Sequence, residues 1–119
     1  MKIFKELKNL GYIHYSATTI EELDNLPLNS AERVSEQALV LRFFRKKYVL
    51  LGFIEPANGY EDKSLFAFYI CDDEQNIVDD SHSYSKDSSL HFKTYEEAEF
   101  ACLKKLIEIV KTKNNEKIL

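Results

Sequence analysis

The residues best equipped for chemistry crowd one stretch: Asp72, Asp73, Glu74, Asn76, Asp79 and Asp80. Carboxylate and carboxamide oxygens at such spacing are the ligands a hard cation such as calcium takes. Read as an EF-hand loop starting at Asp72, however, the pattern breaks at two places. Ile77 occupies the sixth position, where glycine makes the sharp turn, and Ser83 stands where a closing glutamate should chelate. What survives is a weak surface cation site built from Asp79, Asp80 and His82, set against the plainer reading of a hydrated acidic turn.

Nucleophiles and bases are present but scattered. His14, His82 and His91 have no neighbouring motif that names a nucleophile, and no His/Cys spacing fits zinc. Cys71 and Cys102 sit in apolar surroundings, without the electropositive setting that makes a reactive thiolate. Ser81, Ser83, Ser88 and Ser89 lie in loop-like sequence with no nucleophile elbow. The 3 glycines are isolated, so no glycine-rich phosphate loop exists. The expectation is a non-enzymatic protein with no catalytic residue, no cofactor and no resident metal. A hydrolase or metal protein is the third class of reading.

Composition narrows the partners. The chain has 119 residues, 45% of them hydrophobic, with 7 Tyr, 8 Phe and only 2 Pro, which suits one packed domain. A net charge of −4 gives no general attraction to phosphates or anionic lipid. No apolar run approaches the roughly 18 residues of a membrane span, and the N-terminus lacks a signal-peptide core. No membrane partner is expected, and the expected compartment is the cytoplasm. There, two reduced, buried thiols are the default for Cys71 and Cys102, with a disulfide as the other reading.

Period and capping signals then place the elements. Ile3, Phe4, Leu7 and Leu10 recur at helical spacing and stop at Gly11, a good C-terminal cap. Thr18 or Thr19, followed by Glu21 and Glu22, starts a short helical turn that ends before Pro27, and Tyr12–Tyr15 between them reads as a short extended link. Residues 1–28 form a packed N-terminal arm. Asn29 with Glu32 predicts a capping box opening a helix to about Lys46. Tyr48–Glu55, Leu65–Cys71 and Ile77–Tyr84 read as strands, the second central and the third an exposed edge. Pro56-Ala-Asn-Gly59, residues 72–76 and residues 85–89 make the turns between elements.

Thr94 with Glu97 opens the last helix as a second capping box, and Glu96, Glu97 and Glu99 place negative charge at its positive end. Its apolar stripe is Tyr95, Ala98, Cys102, Leu106, Ile109 and Val110, widened by Phe100, Leu103 and Ile107. The fold class is α+β: a helix–β–β–β–helix core over 29–112, with helices packed on a three-stranded antiparallel sheet. The N-terminal helical extension precedes it in the same single domain, and 113–119 is expected to fray.

The first long helix carries the most informative conflict. One face holds Val34, Ala38, Leu41 and Phe44, which would rest on the sheet. Leu39 and Phe43, at i and i+4, project to nearly the opposite side and need a cover. The N-terminal arm is one candidate and a second subunit the other. Arg42, Arg45, Lys46 and Lys47 add a basic end, where the helix dipole alone already favours cations. Leu39, Phe43, Arg42, Arg45, Lys46 and Lys47 therefore form the candidate interface for a protein partner or for self-association, and the abundant tyrosines suit such a role.

Helix–β–β–β–helix is also the order of double-stranded-RNA-binding domains, and the topology of this chain resembles it. Those domains meet phosphate with lysines at the start of their last helix. Here that position holds Tyr95-Glu-Glu-Ala-Glu99, which would repel the backbone. The alternative function is accordingly a nucleic-acid-binding accessory protein that uses the basic helix end together with Lys104, Lys105, Lys111 and Lys113. The segments Glu36–Tyr48 and Thr94–Val110, joined by three strands, look like a group of small uncharacterised proteins of bacteriophages and integrated elements of gut-type bacteria. That resemblance implies an accessory role and supplies no functional residues.

Overall fold

A computed structural model of the chain describes residues 2–56, 65–81 and 92–118. The elements run α1 (Ile3–Asn9), α2 (Ile20–Asn25), α3 (Ala31–Tyr48), β1 (Leu51–Pro56), β2 (Phe66–Cys71), β3 (Ile77–Asp80) and α4 (Tyr95–Ile118). This is the expected α+β order, with an antiparallel sheet in the sequence β1-β2-β3. The turn expected at 56–59 beyond Pro56, the loop at 85–89, His82, His91, Tyr60 and Tyr84 lie outside the described residues. Helix α4 continues through the segment expected to fray and ends at Ile118.

Local chemistry explains most boundaries. Thr19, not Thr18, caps α2: its hydroxyl accepts from the Glu22 N–H at 3.1 Å. Thr94 does the same for the Glu97 N–H, also at 3.1 Å. The capping box expected at Asn29 and Glu32 does not form. Helix α3 starts one residue later, behind Ser30 in extended backbone, and Ser30 gives no side-chain cap. Glu32 is taken instead by the Thr18 hydroxyl, which donates to it at 2.5 Å. At the other end, Val49 adopts φ 54°, a left-handed conformation strained for a β-branched residue, and so stops α3 before β1.

The buried face of α3 differs from the expected one. Arg33, Glu36, Gln37, Val40 and Phe44 point inward, while Ala38 is exposed and Val34 and Leu41 are only half-buried. One residue of helix is about 100° of rotation, so the true face is the expected one turned by one position. Hydrophobicity misplaced it because polar side chains occupy inward positions, each bonded there. On α4 the stripe holds for Ala98, Cys102, Leu103, Leu106, Ile107 and Val110, but Tyr95 is 42% exposed and Glu99 is buried. Glu99 is thus a core group and not part of the charged helix start.

Helix α4 crosses β1 and β2 on one face of the sheet and packs beside α3, which also reaches β1. The core lies in that layer: Val40, Phe44, Leu50, Phe68, Ile70, Leu103, Leu106 and Ile107 are all at most 5% exposed. Strand β2 is central, as its apolar sequence implied, and β3 is an exposed edge with Ile77 62% accessible. The arm closes the helical side. Ile3, Phe4 and Leu7 of α1 and Leu23 of α2 are buried, and α1 packs on both α2 and α4.

Candidate functional site

Two buried polar groups fasten the arm to α3. The Arg33 guanidinium, 4% exposed, donates through Nη1 to the carbonyls of Leu23, Asp24 and Leu26 at 3.2, 3.1 and 2.9 Å. These carbonyls sit at and just beyond the C-terminal end of α2, where only Leu23 also accepts a closing bond, from the Leu26 N–H at 3.3 Å. Its other contacts are the Gln37 side chain at 2.9 Å and the rings of Phe4 and Phe100. Burial pulls the Arg33 pKa down and the nearby Asp24 opposes it. Asp24 in turn accepts from the Phe4 and Lys5 N–H groups, at 2.8 and 3.1 Å, at the start of α1.

Glu36 is the second fastener. One carboxylate oxygen accepts from the Tyr15 and Ser16 N–H groups, at 2.8 and 2.6 Å, and the other from the Tyr12 hydroxyl. The side chain is 2% exposed. Burial, and then this bond, push the Tyr12 hydroxyl well above the ordinary tyrosine range. The extended link between α1 and α2 is thereby held alongside α3 by one carboxylate.

That link and α3 enclose a groove of about 470 Å³. Leu39, Arg42, Phe43, Lys46 and Lys47 line it from α3, and Gly11, Tyr12, Ile13 and Tyr15 from the link. The arm therefore does cover Leu39 and Phe43, but partly: both remain half-buried. Tyr12 meets Phe43 edge-on at 5.3 Å, and Tyr48 flanks it at 5.9 Å. Ile13 and Tyr15, by contrast, stand 81% and 77% exposed on the groove's outer wall. Apolar side chains that exposed and that close together are a surface a partner would bury.

Of the expected interface residues, the structure brings Leu39, Arg42, Phe43, Lys46 and Lys47 into this one groove; Arg45 is exposed outside it. Lys47 is partly committed, donating to the Leu10 carbonyl at 2.8 Å and lying over the rings of Phe43 and Tyr48. Arg42, Arg45 and Lys46 have no ion pair among the described residues. Sequence reasoning missed the link side of the groove. Ile13 and Tyr15 alternate with half-buried neighbours as an exposed strand-like segment would, yet nothing in the sequence says that Glu36 will reach across to hold it.

Several of the other chemistry-bearing groups are occupied structurally. Asp72 folds its own turn: one oxygen accepts from the Glu74 and Asn76 N–H groups, each at 2.9 Å. The Asn76 N–H above all holds its carboxyl below the usual range. Asp79 pairs with Lys105 of α4 at 3.4 Å. No cluster of metal-ligating side chains occurs among the described residues, and no helix there is long and apolar enough to cross a membrane. Cys71 and Cys102 are buried and unpaired. Burial, and secondarily Glu99, push the Cys102 thiol far above its ordinary range, which keeps it protonated. The chain matches no protein-family model, no curated protein and no solved structure.

Glu99 yields a prediction. It is 3% exposed, and burial raises its pKa above the ordinary 4.5, against the lowering bond from Gln37 Nε2 at 2.9 Å. A raised folded pKa contributes stability below the unfolded value, and that contribution is lost as pH climbs through the folded value. Glu99→Gln mimics the protonated form and can still accept from Gln37. Its melting temperature should match the wild type near pH 4 and exceed it increasingly toward pH 7. A difference between the two proteins that stays constant over that range would show that Glu99 does not titrate on unfolding.

Proposed function

We propose that this protein is a non-enzymatic interaction module that binds another protein through the groove between α3 and the Gly11–Ser16 link. The observation that carries the reading is the meeting of Leu39 and Phe43, Ile13 and Tyr15, and the unpaired Arg42 and Lys46 at one cleft. Interfaces favour such a composition: aromatic and aliphatic anchors in the centre, cations at the rim for orientation. The engagement of Asp72, Asp79 and Cys102 in structural roles supports the absence of catalysis, and two buried free thiols fit a reducing compartment such as the cytoplasm.

Nucleic acid is the competing partner, and the structure gives it less to work with. Of the C-terminal lysines that reading needs, Lys105 pairs with Asp79 and Glu108, Lys111 with Glu6 at 3.2 Å, and Lys104 lies over Phe100, which leaves Lys113 exposed with no ion pair among the described residues. A photo-crosslinking residue at Ile13, compared with one at exposed Thr112, tests the proposal in extracts of the source cell. Ile13 should yield a discrete protein adduct that Thr112 does not, and Leu39→Asp should abolish it. The proposal falls if no site-specific protein adduct forms, or if heparin and duplex RNA retain the protein in a salt-dependent way that Arg42→Glu/Lys46→Glu removes.

A further inference from the structure

The groove does not end at Leu39. A second hollow, of about 370 Å³, continues it along α3 past Ser35 to Ala31, and Tyr15 and Leu39 belong to both. From Ala31 to Lys47 the combined trough runs about 16 residues of helix, roughly 24 Å at 1.5 Å per residue. Its two ends differ. Ala31 and Ser35 are small and exposed, so a partner backbone can approach closely there, and Glu32 beside them, which accepts from the Thr18 hydroxyl, makes this the acidic end. Leu39, Phe43, Ile13 and Tyr15 form the apolar middle, and Arg42, Lys46 and Lys47 crowd the far end.

Resting on the interaction reading above, we infer that the occupant is an acidic amphipathic helix of a partner protein, laid along α3 with its carboxylates over Arg42 and Lys46. An open trough of that length suits a helix, whereas a small ligand would be enclosed on most sides. Charge complementarity fixes the chemistry, because cations without an internal counter-ion are satisfied by carboxylates brought from outside. The overall charge of −4 does not forbid this. At about 0.15 M salt the Debye length is about 8 Å, so the near cations outweigh the distant carboxylates. A second copy of this chain is a poor occupant: α4 already buries its apolar stripe in the core, and the half-buried Leu39 and Phe43 of α3 are the groove itself.

Selection on the intact protein from a displayed library of random peptides of about 16 residues tests the inference. Enriched peptides should carry apolar residues at i, i+3 or i+4, and i+7, with Asp and Glu gathered toward one end. Synthetic versions should bind by fluorescence anisotropy, and the double variant Arg42→Glu/Lys46→Glu should weaken them by about tenfold or more. Ile13→Ser should weaken them several-fold as well. All three positions are exposed, so Ile13→Ser should keep the wild-type melting temperature. The double variant, which sets two carboxylates against the C-terminal end of the α3 dipole, should stay folded with a melting temperature a few degrees lower. Enrichment of basic or proline-rich peptides, or an identical set selected on the double variant, overturns the inference. Failure to enrich any peptide while Ile13 still crosslinks to a protein overturns the acidic helix and leaves the interaction module standing. Concentration-dependent dimerisation that blocks Ile13 crosslinking would assign the groove to a second copy, and displacement of bound peptide by duplex RNA would assign it to nucleic acid.

Discussion

Glu36→Ala should lower the stability of the protein by about 2–4 kcal/mol, the sum of what three donors lose when their shared acceptor disappears. The Tyr12 hydroxyl is buried and would be orphaned outright, whereas the Tyr15 and Ser16 N–H groups are only part-buried and would be met in part by water. That difference is why the expected loss stays below the full cost of three buried orphans. For a chain of this length the melting temperature should fall on the order of 10 °C. Glu36→Gln keeps one oxygen to accept from the two N–H groups and should lose much less. The local signature is amide exchange at Tyr15 and Ser16, which should accelerate in Glu36→Ala beyond the change in global stability. Selected peptides should also bind it more weakly, because the Ile13–Tyr15 wall is no longer held against α3. A melting temperature unchanged within a degree or two would mean that the link is held by its apolar contacts alone.

The same carboxylate shows where sequence reasoning stops. Element order, the central place of β2 and the exposed edge of β3 were legible, because period and β-branched content report burial directly. Thr94 was legible as a cap, and the α2 cap as either Thr18 or Thr19, because a hydroxyl acts on an N–H three residues away. The inward face of α3 was not. Arg33, Glu36 and Gln37 read as solvent residues, and only their partners, the α2 carbonyls, the link N–H groups and Glu99, make burial affordable. Those partners lie from 7 to 62 residues away in sequence, and local pattern carries no information about them. One wall of the groove was legible. Leu39 and Phe43 stood out because an apolar pair on the wrong side of a helix demands an explanation. The opposite wall could not be foreseen without knowing what Glu36 holds.

Gly52 is the described glycine at which an added methyl group would meet the buried core. A Cβ there would sit 2.8 Å from Cys102 Sγ, 3.1 Å from Leu41 Cδ2 and 3.3 Å from Leu106 Cδ1. Cys102 and Leu106 are fully buried on α4, so neither can swing aside into solvent. Alanine in place of a strand glycine would ordinarily gain about 0.5–1 kcal/mol through backbone entropy. Overpacking should reverse that sign and cost about 1–3 kcal/mol, with Gly52→Val worse because its branches enter the same space. The nearest obstacle is a single sulfur atom, which makes the mechanism separable. Cys102→Ala alone should cost about 1 kcal/mol in lost burial. Combined with Gly52→Ala it should cost less than the sum of the two by about 1 kcal/mol, since the new methyl group fills the space the sulfur leaves. Denaturant unfolding of the four proteins in that cycle measures the coupling. If the two losses simply add, the close approach of β1 to α4 at Gly52 does not limit the packing of the core.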